Sequence, residues 1–176
     1  MTLLRSYSPV GNAGGIRWAG NRSEPLLVAL STTRRDPDWP DRFEPESGVF
    51  TYFGDNKRPT GDLHDTPRGG NSLLRDLFDR AVASGTYPPI LIFANDGRGR
   101  DREFLGLAVP RTNGTSPSDG LVVVDTVASG EVFQNYRAEF TVLNARVIRR
   151  AWLTDVLAGD SPRPNAPEGW PSSLPA

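Results

Sequence analysis

The chain has 176 residues, with 20 Lys and Arg against 21 Asp and Glu for a formal net charge of −1, and it contains no cysteine. This length predicts one domain with a proper buried core. The cysteine count excludes a disulfide framework and a thiolate metal site, and the charge excludes a strongly basic nucleic-acid binder. High Gly (18) and Pro (16) favour a turn-rich β fold over a helical bundle. No apolar run approaches a membrane span and MTLLRSYSPV lacks a signal-peptide core, so cytoplasmic residence and no membrane partner are expected.

In chain order, GGIRWAG (Gly14 to Gly20) reads as a glycine-rich loop and PLLVALST (Pro25 to Thr32) as a buried strand. RRDPDWPDRFEPES is a loop of Pro, Asp and interleaved aromatics. VFTYF (Val49 to Phe53) is a second strand, with Val49, Thr51 and Phe53 on one face and Phe50 and Tyr52 on the other. Bulk on both faces means that the strand is buried twice or lends one aromatic to a pocket. After GDNKRPTGDLHDTPRGG comes a helix that Asn71 or a neighbouring Gly can cap. Its Leu73, Leu74, Leu77, Phe78, Ala81 and Val82 recur at helical spacing up to Ser84-Gly85.

PPILIFAND (Pro88 to Asp96) and REFLGLAVP (Arg102 to Pro110) read as strands joined by the turn GRGRD. GLVVVDTV and NYRAEFTVLNARV follow, the latter alternating Tyr136, Ala138, Phe140 and Val142 with Arg137, Glu139 and Thr141. An amphipathic segment, Val147 to Ala158, ends at Gly159. The sum is about six strands and two helices, an α+β class with a curved or barrel-like mixed sheet. Residues 1–159 form the domain, and the Pro/Ser-rich 160–176 reads as a linker or tail.

The chemistry concentrates between Gly48 and Leu74, which combines an aromatic strand, a glycine turn, the only lysine (Lys57) and the only histidine (His64). Aromatic faces beside exposed cations suit a surface that grips a phosphate backbone and stacks a base. Arginines cluster as Arg34-Arg35, Lys57-Arg58 with Arg68, Arg98-Arg100-Arg102 and Arg146 with Arg149-Arg150. Arginine suits bidentate phosphate and guanine contacts, although a general arginine-for-lysine preference would give the same clusters. In the acidic loop a carboxylate can accept from the exocyclic amine of cytosine with Trp39 as a stacking wall, or the loop is simply a solvated turn. Enzyme signatures are thin: no GxSxG elbow, no phosphate-binding P-loop, and too few His and Cys for a zinc site. No cofactor is expected.

The ordered pieces LLVALS, DPD, GVFTYFG, NKR (Asn56 to Arg58) and GNSLL (Gly70 to Leu74) resemble the SRA domain, a PUA-like fold that reads 5-methylcytosine in DNA. The phrase YFGDNKRP...LHDTPRGGN is most similar to N-terminal DNA-reading domains of McrA-type and AspBHI-like restriction enzymes. The resemblance covers roughly Gly14 to Leu74. It implies that Tyr52 stacks on a flipped base, that Asp36 or Asp38 reads its Watson–Crick edge, and that Phe50 and Trp39 complete the pocket. Asn56, Lys57 and Arg58 would run beside the DNA, with Arg34, Arg35, His64, Arg68, Asn71, Arg98 and Arg100 as further backbone or groove contacts. The chain departs from the family pattern where Thr33-Arg34-Arg35 replaces an aromatic before the acidic loop.

The expected function is binding of duplex DNA that carries modified cytosine, as the targeting domain of a restriction endonuclease. Its nuclease domain would be the partner, joined through the C-terminal tail. Three other classes stay open: a PUA-like binder of RNA or single strands, an enzyme acting on a small polar substrate with His64 and Asp65 as acid and base, and a protein–protein module whose arginines only solubilise the surface.

Overall fold

The computed structural model describes residues 15–33, 35–59, 61–95, 102–113, 116–128, 130–145, 147–160 and 165–171. Arg34, Arg146 and the turn at 97–101 with Arg98 and Arg100 lie outside them. The elements are β1 (Ile16–Gly20), β2 (Pro25–Thr32), β3 (Arg42–Glu44), β4 (Val49–Phe53), α1 (Gly70–Ser84), β5 (Ile90–Ala94), β6 (Glu103–Pro110), β7 (Leu121–Ala128), β8 (Glu131–Val142) and α2 (Arg150–Ala158). The α+β class and the mixed sheet are as expected. Among the described residues the sheet is open rather than a closed barrel, in the order β1-β2-β5-β6-β8-β4-β3 with β7 on β8.

The unbroken apolar run of β2 follows from its place inside the sheet. It pairs antiparallel with β1 and parallel with β5, Val28 opposite Ile90. Its side chains alternate between two cores: Val28 and Leu30 face one, Leu27 and Ala29 the other. Burial on both faces requires apolar residues at every position, hence no polar alternation. Strand β8 is the hub, pairing with β7, β6 and β4.

The larger core lies under α1, whose Leu73, Leu74, Leu77, Phe78 and Ala81 face the sheet at helical spacing. Phe78 meets Phe140 of β8 edge-on, with ring centroids 5.5 Å apart. The helix ends at Gly85, whose φ of 66° and N–H bond to the Ala81 carbonyl make a left-handed cap. On the other face Trp152, Leu153 and Val156 of α2 pack on Ala29, Leu91 and Leu107. Trp170 stacks edge-on against Trp152 at 5.3 Å and Tyr87 at 6.2 Å, so part of the stretch that reads as tail lies against this second core.

Strands β1 and β3 fall where the sequence reads as loop. The first alternates imperfectly between glycines. The second has three residues and is defined by its pairing with β4, with Phe43 opposite Phe50.

Candidate nucleic-acid interface

The ends of β2 and β4 open on one side of the sheet, and the acidic loop crosses in front of them. Pairing of β3 with β4 fixes that crossing. Arg42 lies opposite Thr51, so Asp41, one residue earlier, reaches the end of β4. There the Phe53 N–H donates to Asp41 Oδ1 at 2.8 Å. The loop is braced internally: the Trp39 N–H donates to the Asp36 carbonyl, the Asp41 N–H to the Trp39 carbonyl, and the Asp38 N–H to Asp36 Oδ1.

Between the loop and the strand ends lies a cavity of about 130 Å³. Its walls bring together Tyr52, Asp36, Trp39 and Lys57, four residues singled out from sequence, with Asp41, Asp55 and the hydroxyl residues Ser31, Thr32 and Thr33. Asp38, the alternative to Asp36, is not in its lining. The volume is several times the ~30 Å³ share of one water, room for a small planar group. Trp39 is half-buried and fixed by its indole N–H, which donates to the Gly54 carbonyl at 2.9 Å. The Lys57 ammonium sits over the same ring, 4.3 Å from its centroid.

Tyr52 reaches the cavity from the core. It is 3% exposed and packs within the larger core beside Phe50. A Cβ added to Gly15 would lie 2.5 Å from its hydroxyl oxygen, so only glycine fits there. Burial pushes the phenol well up, with Asp41 and Asp55 adding to the shift, so it stays a neutral hydroxyl. Burial likewise pushes the Asp41 carboxyl up to about 7; Asp36 adds to this, and hydrogen bonds from the Phe53 N–H and the Thr32 hydroxyl oppose it. Asp41 therefore stands at the boundary between acid and carboxylate near neutral pH. Arg17 of β1, 6% exposed, donates to the hydroxyl of Ser31 in the cavity wall.

The remaining sequence candidates divide by exposure. Phe50 is fully buried, Asn71 likewise, and Asn56 is 1% exposed. In this structure these three offer no surface to a ligand. Asn56 Nδ2 donates to the Gln134 carbonyl and Asn71 Nδ2 to the Leu63 carbonyl, both at 2.8 Å. Arg35, Lys57, Arg58 and Arg68 are exposed. His64 is half-buried, its Nε2 2.9 Å from the Tyr136 hydroxyl and its Nδ1 3.7 Å from the Asp62 carboxylate. The ring is engaged by Tyr136 and Asp62 rather than by the Asp65 expected of an acid–base pair. Among the described residues no group of three or more His, Cys, Asp or Glu is placed to hold a metal ion.

Sequence reasoning missed Asp41, Asp55 and Asn135, each of which acts through partners distant in sequence. The Asp55 carboxylate accepts from the N–H groups of Gly70 and Asn71, capping α1 in place of a local side chain.

The profile of the family described as "Restriction endonuclease AspBHI N-terminal" matches residues 2–174. Two solved structures share the fold and much of the sequence. The DNA modification-dependent restriction endonuclease AspBHI is 41% identical with a TM-score of 0.85, over 95% of this chain and 43% of its own. The DNA recognition domain of the cytosine modification-dependent restriction endonuclease LpnPI is 39% identical with a TM-score of 0.78, over 90% of this chain and 74% of its own. The chain thus spans under half the length of the AspBHI enzyme. No curated protein sequence matches it.

Proposed function

Because the chain belongs to the restriction endonuclease AspBHI N-terminal family, we propose that it is a DNA-recognition module that binds duplex DNA containing modified cytosine. The reading includes 5-methylcytosine as the base and its extrusion from the duplex into the cavity. One observation carries it: the cavity at the β2 and β4 ends joins an aromatic ring, a carboxyl poised near neutrality and a lysine at one small opening. Both relatives are modification-dependent restriction endonucleases, one of them described as cytosine modification-dependent.

Each wall has a role in this reading. Trp39 provides the stacking face, and Lys57 leaves that ring for a phosphate as the base arrives. Tyr52, deeper and nearly covered, forms the floor beside Gly15. Asp41, with Asp36, faces the Watson–Crick edge, where cytosine presents an amine donor and a ring-nitrogen acceptor. Flipping costs a few kcal/mol of unstacking, which stacking and edge hydrogen bonds offset. A methyl group adds about 1 kcal/mol of apolar burial at most, so it must be read by close fit. Arg35, Arg58 and Arg68 position the duplex without reading it, and Arg34, Arg98 and Arg100 belong to the same proposed contact set.

Cutting is assigned to a separate nuclease domain of the same protein, with the part of 160–176 that is not packed on the second core through Trp170 as the connection and the cytoplasm as the compartment. The fraction of AspBHI that the chain spans supports this division.

A gel-shift panel of one duplex in unmodified, hemimethylated and fully methylated forms, with single-stranded RNA as competitor, tests the proposal. Preference for the methylated duplex is expected. Equal binding to all forms, or displacement by the RNA, would refute it.

A further inference from the structure

We infer that Asn135 is a positioning residue of the base cavity, setting the stacking ring of Trp39 through the Gly54 carbonyl. The inference rests on the modified-base reading above. Asn135 lies on β8 and is fully buried, and it is not among the cavity-lining residues. Its Nδ2 donates to the Gly54 carbonyl at 3.0 Å and more weakly to the Asn56 carbonyl at 3.4 Å. Its Oδ1 accepts from Asn71 Nδ2 of α1 and from the Tyr136 N–H, both at 3.0 Å.

The Gly54 carbonyl is where the wall of the cavity is decided. A carbonyl oxygen has two lone pairs; here one takes the Asn135 amide and the other the Trp39 indole. The preceding peptide plane is held as well, by the Gly54 N–H, which donates to the Tyr136 carbonyl at 2.9 Å. Gly54 has no freedom to move inward. A Cβ on it would lie 1.9 Å from Asn71 Oδ1 and 2.5 Å from Asn135 Oδ1, so the two amides press directly on the backbone. Asn71 Oδ1 takes the N–H of the next residue, Asp55, at 3.0 Å. The Trp39 ring therefore hangs from a carbonyl whose direction is set by a buried amide on another strand. Without that amide the carbonyl loses one of its two partners, and Asn71, which holds the Asp55 N–H of the same peptide plane, loses its bond to Asn135, so the plane against which a base stacks is loosened. A residue that only stabilised the fold would, when removed, weaken binding to every duplex alike. A residue that aims the stacking ring changes the preference between duplexes.

The test compares affinities for two duplexes of one sequence, with and without a single 5-methylcytosine. The proteins are the unaltered chain, Asn135→Leu, Trp39→Phe and the double variant, each checked for folding by circular dichroism. Phenylalanine keeps a ring at 39 but removes the indole donor. Asn135→Leu is expected to lower the methylated-to-unmodified affinity ratio by roughly tenfold, with binding of the unmodified duplex nearly unchanged. Trp39→Phe should lower the ratio as well, and the ratio of the double variant should fall no further than that of either single one.

An unaltered chain with no preference would refute the modified-base reading, and this inference with it. A preferring chain whose ratio survives Asn135→Leu, whose affinity falls equally for both duplexes, or whose ratio falls additively in the double variant would overturn the inference alone. If Asn135→Leu does not fold, nuclear magnetic resonance on the unaltered chain decides. The Asn135 side-chain amide and the Trp39 indole signals should shift together on adding methylated duplex. An Asn135 amide that stays in place while the indole moves would overturn it.

Discussion

Asp41 holds a carboxyl that burial pushes up to about 7 in a cavity that also holds Asp36 and Asp55. Its folded-state value lies above the ordinary 3.8, so the folded chain binds more protons than the unfolded one between those limits. Its contribution to stability is therefore complete below 3.8 and is lost as pH rises through about 7. Asp41→Asn should remove this slope from urea-unfolding free energies measured across that window. The same proton bears on recognition. A neutral carboxyl both donates and accepts, matching the ring-nitrogen acceptor and amine donor of cytosine. Affinity for a methylated duplex should rise as pH falls from about 8 to about 6, and Asp41→Asn should show the low-pH affinity at both. Asp41→Ala should lose about 1–3 kcal/mol of discrimination. Weak or absent pH dependence in the unaltered chain would remove Asp41 from the edge-reading role. Local motif reading stops at Asp36 and Asp38 because the signal for Asp41 is not local: it is the pairing of β3 with β4 that delivers its carboxyl to Phe53. Tyr52, Trp39 and Lys57 are legible because their neighbours in sequence are also their neighbours in the cavity.

At the scale of elements, α1 follows the N-cap residue Gly69, which has φ of 64° and offers no side-chain cap. Asp55, at the end of the β4 turn, supplies the cap with both carboxylate oxygens. The arrangement ties the start of the helix to the cavity wall, which Asp55 also lines. Asp55→Ala should cost about 1–2 kcal/mol, from the missing cap and the missing charge at the positive helix end, read as a lower urea midpoint with unchanged slope. An unchanged midpoint would mean that the Gly70 and Asn71 N–H groups find other partners. Long or strongly patterned elements are readable in the sequence: β2 by its unbroken apolar run, β4 by its aromatic and β-branched content, α1 by its Leu and Phe spacing. Strand β3 is not, since three residues carry no periodicity and its existence depends on β4. Asn56 and Asn71 share a cause of misreading. A polar residue in a loop or at a helix start reads as solvent-facing, whereas here the two amides, with Asn135 of β8, pair with backbone groups around the turn after β4 that would otherwise be buried unpaired.

For the whole molecule, a net charge of −1 sets the terms on which DNA can be held. Attraction cannot come from an overall basic surface, so it must come from a local group of cations. Lys57 and Arg58 are exposed on the turn that leaves β4, and Lys57 lies at the cavity itself. The turn is held from below: the Arg58 N–H donates to Asn56 Oδ1, and Asn56 in turn donates to the Gln134 carbonyl of β8. A pair of cations on a braced turn beside the base cavity fits phosphate binding that places the duplex over the opening. Binding of this kind releases counterions and carries no base information. Changing both residues to Gln should weaken methylated and unmodified duplexes by similar factors and leave their ratio intact. Each cation removed from a phosphate should also flatten the dependence of log affinity on log salt by about one unit. Titrations at several salt concentrations, with both duplexes, read the two effects together. A double variant with an unchanged salt slope would take this turn off the phosphate backbone. One without methylation preference as well would show that Lys57 reads the base rather than the phosphate, and that its place over the Trp39 ring is kept when DNA is bound.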